Sequence, residues 1–159
     1  MGIMKEAKVL KHMLTREVVS LDADGFTSPQ EVITYSGRLL EKAGKVTEQY
    51  VKDMVSAYEM LGPYIVMAPG LAMPHARPGG NVKENAVSFV KLKNPMKFNN
   101  ANNDPVKIVI ALAGVSDNGH IDILQDLSSL LGEPDVIESL SQVSSYEELI
   151  NIIEKEGNR

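Results

Sequence analysis

The 159-residue chain carries 16 basic and 21 acidic side chains, no cysteine and a hydrophobic fraction of 43%. These values are typical of a globular protein, and we expect residues 1–159 to form one domain. A formal net charge of −5 without a basic run argues against a nucleic-acid partner. The lack of cysteine excludes disulfides, thiolate nucleophiles and Cys-based zinc sites. No apolar run approaches the roughly 18 residues of a membrane helix, so we expect a cytoplasmic protein without direct membrane insertion.

Two amphipathic helices are predicted in the first half of the chain. Residues 28–31 (SPQE) are a helix start, with serine as the cap, proline first in the helix and glutamate three residues after the cap; this helix would end at Gly44. Thr47 would cap a second helix, which Gly62-Pro63 ends. The residues expected to face the core from these helices are Val32, Leu39, Leu40, Ala43, Val51, Met54, Val55, Tyr58 and Leu61.

Short apolar segments predict the strands. These segments are residues 18–21, 64–68, 86–92 and 106–115. The segment 64–68, closed by Pro69-Gly70, is predicted to be a buried strand, and the almost entirely apolar segment 106–115 a central one. Residues 94–105, rich in proline and asparagine, are predicted to be a loop.

Further helices are predicted over residues 3–14 and after the central strand. The turn at 116–119 leads into a helix that ends at Gly132, and two more helices are expected near 134–141 and over 146–155. In the first of these three we expect the core to receive Ile121, Leu124, Leu127, Leu130 and Leu131. Strands that alternate with helices predict an α/β fold, a single-domain layered sandwich whose mixed, mostly buried sheet is flanked by helices.

Two of the three histidines lie at positions where they could take part in a reaction. His12 lies off the apolar stripe of its helix and is expected to face solvent. His120 begins the helix after the central strand, where unpaired N–H groups attract anions and favour a neutral imidazole; it could equally be a solvent-facing neighbour of the cap. His75 follows another predicted strand, so both histidines could lie at the same rim of the sheet, where α/β proteins bind ligands.

The remaining motifs narrow the chemistry available to these histidines. The sequence has no HExxH, no phosphate-binding glycine loop and no GxSxG elbow, so we expect neither a metal nor a nucleotide cofactor. A neutral imidazole can still accept and pass on a phosphoryl group. Arg77 could hold the phosphoryl oxygens with its guanidinium, while Pro74 and Pro78 would restrain the loop. In an extended segment residues 75 and 77 share a side, whereas a turn would separate them.

The stretch LGPYIVMAPGLAMPHARPGG, residues 61–80, resembles the active-site signature of the enzyme IIA domains of the bacterial sugar phosphotransferase system, mannitol/fructose superfamily. Residues 72–76 (AMPHA) carry the likeness most closely. It extends through the helix with VTEQYVKDM, the second histidine's strand and helix, and the closing SSYEELINII. The PHAR form, with GPY upstream, is closest to the ascorbate-type branch. The resemblance implies this superfamily's α/β fold over the whole chain.

The resemblance also implies roles for residues and partners. His75 would accept a phosphoryl group from the phosphocarrier protein HPr and donate it to a cysteine of a IIB component, which drives sugar uptake through a membrane IIC permease. His120 would support the phosphorylated ring. Mannitol-type members carry an arginine where this chain has Ala57, so either Arg77 takes over phosphoryl stabilisation or backbone donors and His120 suffice.

Several alternatives stay open at the level of sequence. Leu71, Met73 and the 94–105 loop are candidates for the partner-docking rim, although the two apolar residues could instead be core. Because the chain has no cysteine, the IIB acceptor must lie on another polypeptide. A regulatory module that signals by its phosphorylation state would use the same histidine. The sugar, the oligomeric state and the phosphorylated ring nitrogen are not determined by the sequence.

Overall fold

The computed structural model describes residues 10–157, which form a five-stranded mixed sheet flanked by helices. The strands are β1 (Val19–Ala23), β2 (Val66–Ala68), β3 (Leu71–Ala72), β4 (Ala86–Met96) and β5 (Val106–Ala113). The helices are α1 (Pro29–Lys42), α2 (Glu48–Leu61), α3 (Asp117–Leu131), α4 (Pro134–Leu140) and α5 (Tyr146–Gly157). Most of the helix predicted over 3–14 lies outside the described residues, and 10–13 are helical. The predicted α/β class is confirmed.

The strand order is β1-β4-β5-β3-β2, which places β5 at the centre as predicted. β1 runs parallel to β4 and β3 runs parallel to β5, whereas β4 and β5 are antiparallel. Helix α1 packs on β4 and β5, α2 packs on α1, and α3 contacts β5, α4 and α5. Since β3 and β5 are parallel, the segments after them leave the sheet at the same end, and this arrangement brings His75 and His120 together.

Side-chain caps begin the helices where the sequence predicts them. Ser28 Oγ accepts a hydrogen bond from the Glu31 amide at 3.2 Å, and Thr47 Oγ1 accepts one from the Tyr50 amide at 3.3 Å. Ser116 Oγ accepts one from Gly119 at 3.1 Å. Each cap pairs one of the amides that a helix N-terminus otherwise leaves without a partner. These three caps determine the residues at which α1, α2 and α3 begin.

The prediction of a buried strand over 64–68 is wrong. Pro63–Ile65 form a 3-10 turn, and only Val66–Ala68 pair, at the edge of the sheet. Tyr64 is 47% exposed and Met67 51% exposed. β3, which the sequence analysis missed, is only two residues long and too short for a periodic pattern. The predicted loop 94–105 is also too long, because β4 continues to Met96.

Two residues predicted to face the core are exposed. Leu61 is the last residue of α2 and is 62% exposed, because the helix ends there beyond its packed face. Ile121 is 48% exposed. In α3 the buried face consists of Gly119, Ile123, Leu127 and Leu130. At about 100° per residue, position 121 points away from that face.

Candidate active site

The ring of His75 is hydrogen-bonded to its own loop. His75 lies in the loop after β3, half-buried, and its Nδ1 is 2.8 Å from the carbonyl oxygen of Met73. A carbonyl oxygen can only accept a hydrogen bond, so Nδ1 carries the proton and Nε2 keeps the lone pair. The ring of Tyr64 meets the His75 ring edge-on, with a centroid distance of 6.1 Å and an interplanar angle of 88°. These contacts leave Nε2 as the ring nitrogen with a free lone pair.

His120 lies beside His75, as expected from their positions after parallel strands. The ring centroids are 5.1 Å apart with an interplanar angle of 56°. Gly114, at the end of β5, makes this approach possible: a Cβ there would lie 2.7 Å from the backbone nitrogen and Cα of His120. Asn85 supports the same turn, since its Oδ1 accepts a hydrogen bond from the Val115 amide at 2.9 Å. The first turn of α3 is therefore held closely against the end of β5.

The environment of His120 favours its neutral form. Burial lowers the pKa of His120 below the ordinary 6.5, the neighbouring His75 lowers this pKa further, and Asp117 acts in the opposite direction. The direction agrees with the sequence-based expectation, although burial rather than the helix N-terminus is the first cause. Within the described residues, Nδ1 of His120 is buried without a hydrogen-bond partner. An unpaired buried polar atom beside a second histidine ring is typical of a functional site.

The backbone around His75 is joined to β5 through Tyr50, a residue that the sequence analysis missed. The carbonyl of Pro74 accepts a hydrogen bond from the Leu112 amide at 3.1 Å. On the other side of His75, the Ala76 amide donates to Tyr50 Oη at 3.1 Å, and Tyr50 Oη donates to the Leu112 carbonyl at 2.8 Å. Tyr50 lies four residues before Met54 on the apolar face of α2, a spacing that predicts burial but not the partners of its hydroxyl.

The far end of the loop is joined to the α1–α2 connection. The Thr47 amide donates to the Asn81 carbonyl at 2.9 Å, and the Lys83 amide donates to the Lys45 carbonyl at 2.7 Å. Thr47 Oγ1 also donates to Asn81 Oδ1 at 3.0 Å. The histidine loop is therefore hydrogen-bonded at both ends, in agreement with a fixed presentation of His75.

A cleft of about 570 Å³ opens beside the histidines. Its lining consists of Asp53, Ser56, Ala57, Met60, Leu61, Tyr64, His75, Ala76, Arg77, Pro78 and His120. Arg77 is exposed and lines the same cleft as His75. The sequence leaves open whether a turn separates residues 75 and 77, and the structure shows that both face this cleft. Ala57 lines the same cleft, and between residues 10 and 157 no carboxylate forms an ion pair with Arg77. The Arg77 guanidinium is therefore available to an anion in the cleft.

Exposed apolar side chains lie in the cleft lining or on the segments that flank His120, and we call them the apolar rim. Met60, Leu61 and Tyr64 line the cleft, and Val115 and Ile121 lie close to His120 in the chain. Of the two alternatives left open for Leu71 and Met73, the structure supports core packing, because they are only 2% and 4% exposed. The 94–105 segment is misplaced as a candidate for the docking rim: it precedes β5, whereas His120 follows β5, so the two lie at opposite ends of the sheet.

The remaining expectations concern His12, metals and membranes. His12 is exposed. In the described part of the chain, no three His, Cys, Asp or Glu side chains are grouped so that they could hold a metal ion. None of the helices within 10–157 has the length and apolar character needed to span a membrane.

Comparison with known proteins assigns the chain to a class. Residues 12–156 match the family model described as phosphoenolpyruvate-dependent sugar phosphotransferase system, EIIA 2. The chain belongs to this family and is a IIA component of the sugar phosphotransferase system. The resemblance drawn from residues 61–80 is thus confirmed.

Particular relatives refine this assignment. The ascorbate-specific PTS system EIIA component of Escherichia coli strain K12 is 35% identical over 127 residues, which are 79% of this chain and 82% of that protein. The solution structure of the mannitol-specific cryptic phosphotransferase enzyme IIA of Escherichia coli is 31% identical with a TM-score of 0.81, covering 92% of this chain and 98% of that one. A complex of mannitol enzyme IIA with phosphorylated enzyme IIB from Escherichia coli contains a chain that is 26% identical, with a TM-score of 0.77 and coverage of 87% and 95%.

Proposed function

We propose that this protein is a cytoplasmic phosphocarrier in which His75 Nε2 accepts a phosphoryl group from phosphorylated HPr and passes it to a cysteine of a IIB component. The observation that carries the proposal is the hydrogen bond between His75 Nδ1 and the Met73 carbonyl at 2.8 Å. It leaves the lone pair on Nε2, beside a cleft that also contains Arg77 and His120.

The transfer step is a displacement at phosphorus between two nitrogen atoms. The Nε2 lone pair of His75 attacks the phosphorus, the P–N bond to the donor histidine breaks, and its electron pair returns to the donor ring. As the new N–P bond forms, positive charge develops on the His75 ring, and the Met73 carbonyl stabilises the Nδ1–H. In the second step a cysteine thiolate of IIB attacks the same phosphorus and the His75 ring leaves. Neither step consumes a nucleotide or requires a metal.

We propose that His120 supports the phosphorylated ring. In the free protein burial lowers the pKa of His120 and favours its neutral form, so less positive charge opposes the charge that develops on the His75 ring as the N–P bond forms. A phosphoryl dianion on His75 would favour the protonated form of His120, since opposite charges a few ångströms apart attract strongly in a partly buried site. His120 thereby acts as a donor that becomes stronger when the phosphoryl group arrives.

Arg77 is proposed to hold the phosphoryl oxygens in place of the arginine that mannitol-type relatives carry at the position of Ala57. Both residues line the cleft, and Arg77 is exposed and without an ion-pair partner in the described chain. A guanidinium can form two parallel hydrogen bonds to phosphoryl oxygens, which an alanine at position 57 cannot.

The apolar rim is proposed as the surface on which HPr and IIB dock in turn. Three of its members line the cleft beside the two rings, so that a partner covering them would exclude water from the transferring group. For the related mannitol enzyme IIA, a complex with phosphorylated IIB has been described. The transported sugar is proposed to be L-ascorbate, taken up through a IIC permease, because the relative that is 35% identical is named ascorbate-specific.

The test is intact-mass spectrometry at neutral to alkaline pH, because phosphohistidine is labile in acid. The protein is incubated with phosphoenolpyruvate, enzyme I and HPr, alongside the variants His75→Ala and His12→Ala. We expect the mass of one phosphoryl group to be gained by the wild type and by His12→Ala, and not by His75→Ala. Adding an ascorbate-type IIB should then move the group to IIB. Unlabelled wild type, beside a IIA protein that is labelled normally, would overturn the proposal.

A further inference from the structure

The β3–β5 ladder is interrupted at His75 by one side chain. The parallel register pairs Leu71 with Ile108 and Ala72 with Val109, and its continuation pairs His75 with Leu112. In such a ladder the amide of Leu112 bonds to the carbonyl before His75, and the carbonyl of Leu112 accepts from the amide after it. The first of these bonds is present, from the Leu112 amide to the Pro74 carbonyl at 3.1 Å.

The second bond is replaced by the hydroxyl of Tyr50. The Ala76 amide donates to Tyr50 Oη at 3.1 Å, and Tyr50 Oη donates to the Leu112 carbonyl at 2.8 Å. A longer contact of 3.4 Å joins Tyr50 Oη to the Ala76 carbonyl. The hydroxyl therefore lies between two groups that would otherwise bond directly.

We propose that Tyr50 is a positioning residue: its hydroxyl opens the ladder at His75 and thereby sets the ring so that Nδ1 meets the Met73 carbonyl and Nε2 faces the reacting phosphoryl group. This inference rests on the proposed function for its kinetic consequence, but the ring geometry can be measured without any partner protein. The role is one of placement, because Tyr50 is 1% exposed and is not among the residues that line the cleft.

The Tyr50 hydroxyl can keep its bonds to the Ala76 amide and the Leu112 carbonyl throughout the working pH range. Burial raises the pKa of Tyr50 to about 12, so the hydroxyl keeps its proton throughout the working pH range. One O–H donor and two lone pairs match the donation to Leu112 and the acceptance from Ala76. Phenylalanine would fill the same volume but would leave the Ala76 amide and the Leu112 carbonyl either without a partner or bonded directly to each other.

Helix α2 supplies a matched control. Tyr58 is also buried, and its hydroxyl donates to the Phe98 carbonyl at 2.9 Å, near the opposite end of the sheet. Tyr58 is absent from the cleft lining. Tyr50→Phe and Tyr58→Phe therefore remove the same atom from the same helix, and each takes a hydroxyl donor from one main-chain carbonyl. Only the first change touches the histidine loop.

The experiment reads the tautomer of His75 by ¹⁵N NMR of the ring nitrogens, in the full chain without partners. In the wild type and in Tyr58→Phe we expect one tautomer, with the proton on Nδ1. In Tyr50→Phe we expect a mixture of the two tautomers. Transfer from phosphorylated HPr is then followed by intact mass, and we expect the rate at saturating HPr to fall about tenfold to a hundredfold in Tyr50→Phe, with KM nearly unchanged.

The outcomes separate the two proposals. A wild-type tautomer retained in Tyr50→Phe would overturn the positioning role, as would equal losses of rate in the two phenylalanine variants. If wild-type His75 takes no phosphoryl group but Tyr50→Phe changes the tautomer, the proposed function fails and the placement of the ring by Tyr50 stands. A wild-type tautomer with the proton on Nε2 would contradict both.

Discussion

The two ends of the central sheet are built in opposite ways. At the end where β5 begins, polar groups pair with one another: Asp104 accepts hydrogen bonds from the amides of Phe98 and Asn100, each at 2.9 Å, and Asn103 donates to the Val66 carbonyl at 3.1 Å. At the end where β5 finishes, within the described chain, His120 Nδ1 is buried without a hydrogen-bond partner, Arg77 forms no ion pair, and large apolar side chains are exposed. Buried polar groups without a hydrogen-bond partner and clustered exposed apolar side chains are both typical of surfaces that bind another molecule.

This contrast predicts that substitutions can change stability and the rate of phosphoryl transfer separately. Helix α2 reaches both ends of the sheet, since the Tyr50 hydroxyl donates to the Leu112 carbonyl at the histidine end and the Tyr58 hydroxyl donates to the Phe98 carbonyl at the other end. Substitutions at the end where β5 begins should lower stability and leave the rate of phosphoryl transfer unchanged. Changes at the histidine end should alter transfer, and only those that disturb packing should also alter stability.

The largest effect is expected from Gly114→Ala. The added Cβ would lie 2.7 Å from the backbone of His120, so α3 must shift. We expect the free energy of unfolding to fall by about 3 kcal/mol, the upper part of the usual range for overpacking, and transfer to fall with it. Urea denaturation measures the first and intact mass the second. Gly80→Ala is the control, because nothing lies within 4 Å of its Cβ. A wild-type stability in Gly114→Ala would contradict the close approach of α3.

Arg77→Ala should lower the rate of transfer from HPr about tenfold to a hundredfold, since it removes a charged donor from the transition state. Adding Ala57→Arg to this variant should restore part of the rate by supplying a guanidinium from another position in the lining of the cleft. Arg38→Ala, which removes an exposed arginine on α1, is the control. Undiminished transfer by Arg77→Ala would leave the task to His120 and backbone donors.

Asp104→Ala tests the end of the sheet where β5 begins. It leaves the amides of Phe98 and Asn100 without their acceptor, so we expect the free energy of unfolding to fall by about 2 kcal/mol. The rate of phosphoryl transfer at 25 °C should stay within experimental error of the wild type. A loss of transfer greater than the loss of folded protein would show that the two ends are coupled.

Leu61→Glu tests the apolar rim. A carboxylate at this exposed position should lower kcat/KM for HPr by about tenfold through KM, because a contact between apolar surfaces is replaced by a charge that must be desolvated. Ser139→Glu on α4, also exposed, is the control. Phosphoryl transfer at saturating HPr should not change, and a fall in kcat alone would count against a docking role.

The smallest effect concerns pH. Because the pKa of His120 is lowered in the folded state, the unfolded chain binds more protons at this residue as pH falls through 6.5. The contribution of His120 to stability is therefore present above pH 6.5 and is lost as pH falls toward the folded pKa. We expect His120→Gln to make the stability curve shallower in that interval. In the wild type, phosphorylation of His75 should raise the pKa of His120, as followed by NMR titration.

The sequence predicts the parts of this fold that depend on neighbouring residues. Ser28 and Thr47 cap their helices as expected, and the apolar run at 106–115 contains the central strand. The His75–His120 pair was expected from two strand-to-loop transitions. The ring nitrogen that remains free could not be read in this way, because it depends on a contact with a carbonyl that only the loop conformation supplies.

Other features depend on contacts between distant segments. The hydroxyl of Tyr50 meets Ala76 and Leu112, residues 26 and 62 positions away, so no local pattern identifies its partners. The helical spacing of Ile121 from Leu124 predicts that Ile121 faces the core, but the buried residues of α3 are Gly119, Ile123, Leu127 and Leu130, which lie on another face of the helix. β3 is a strand only because β5 and β2 lie beside it.

The most direct test of the phosphocarrier mechanism is ³¹P and ¹⁵N NMR of the protein phosphorylated by HPr at alkaline pH. We predict a single phosphohistidine, at His75, with phosphorus coupled to Nε2 and the proton retained on Nδ1. A phosphoryl group on Nδ1 of His75, or on His120, would contradict the mechanism. The hydrogen bond to the Met73 carbonyl would then not select the reacting nitrogen, and the neighbouring ring would not act as its support.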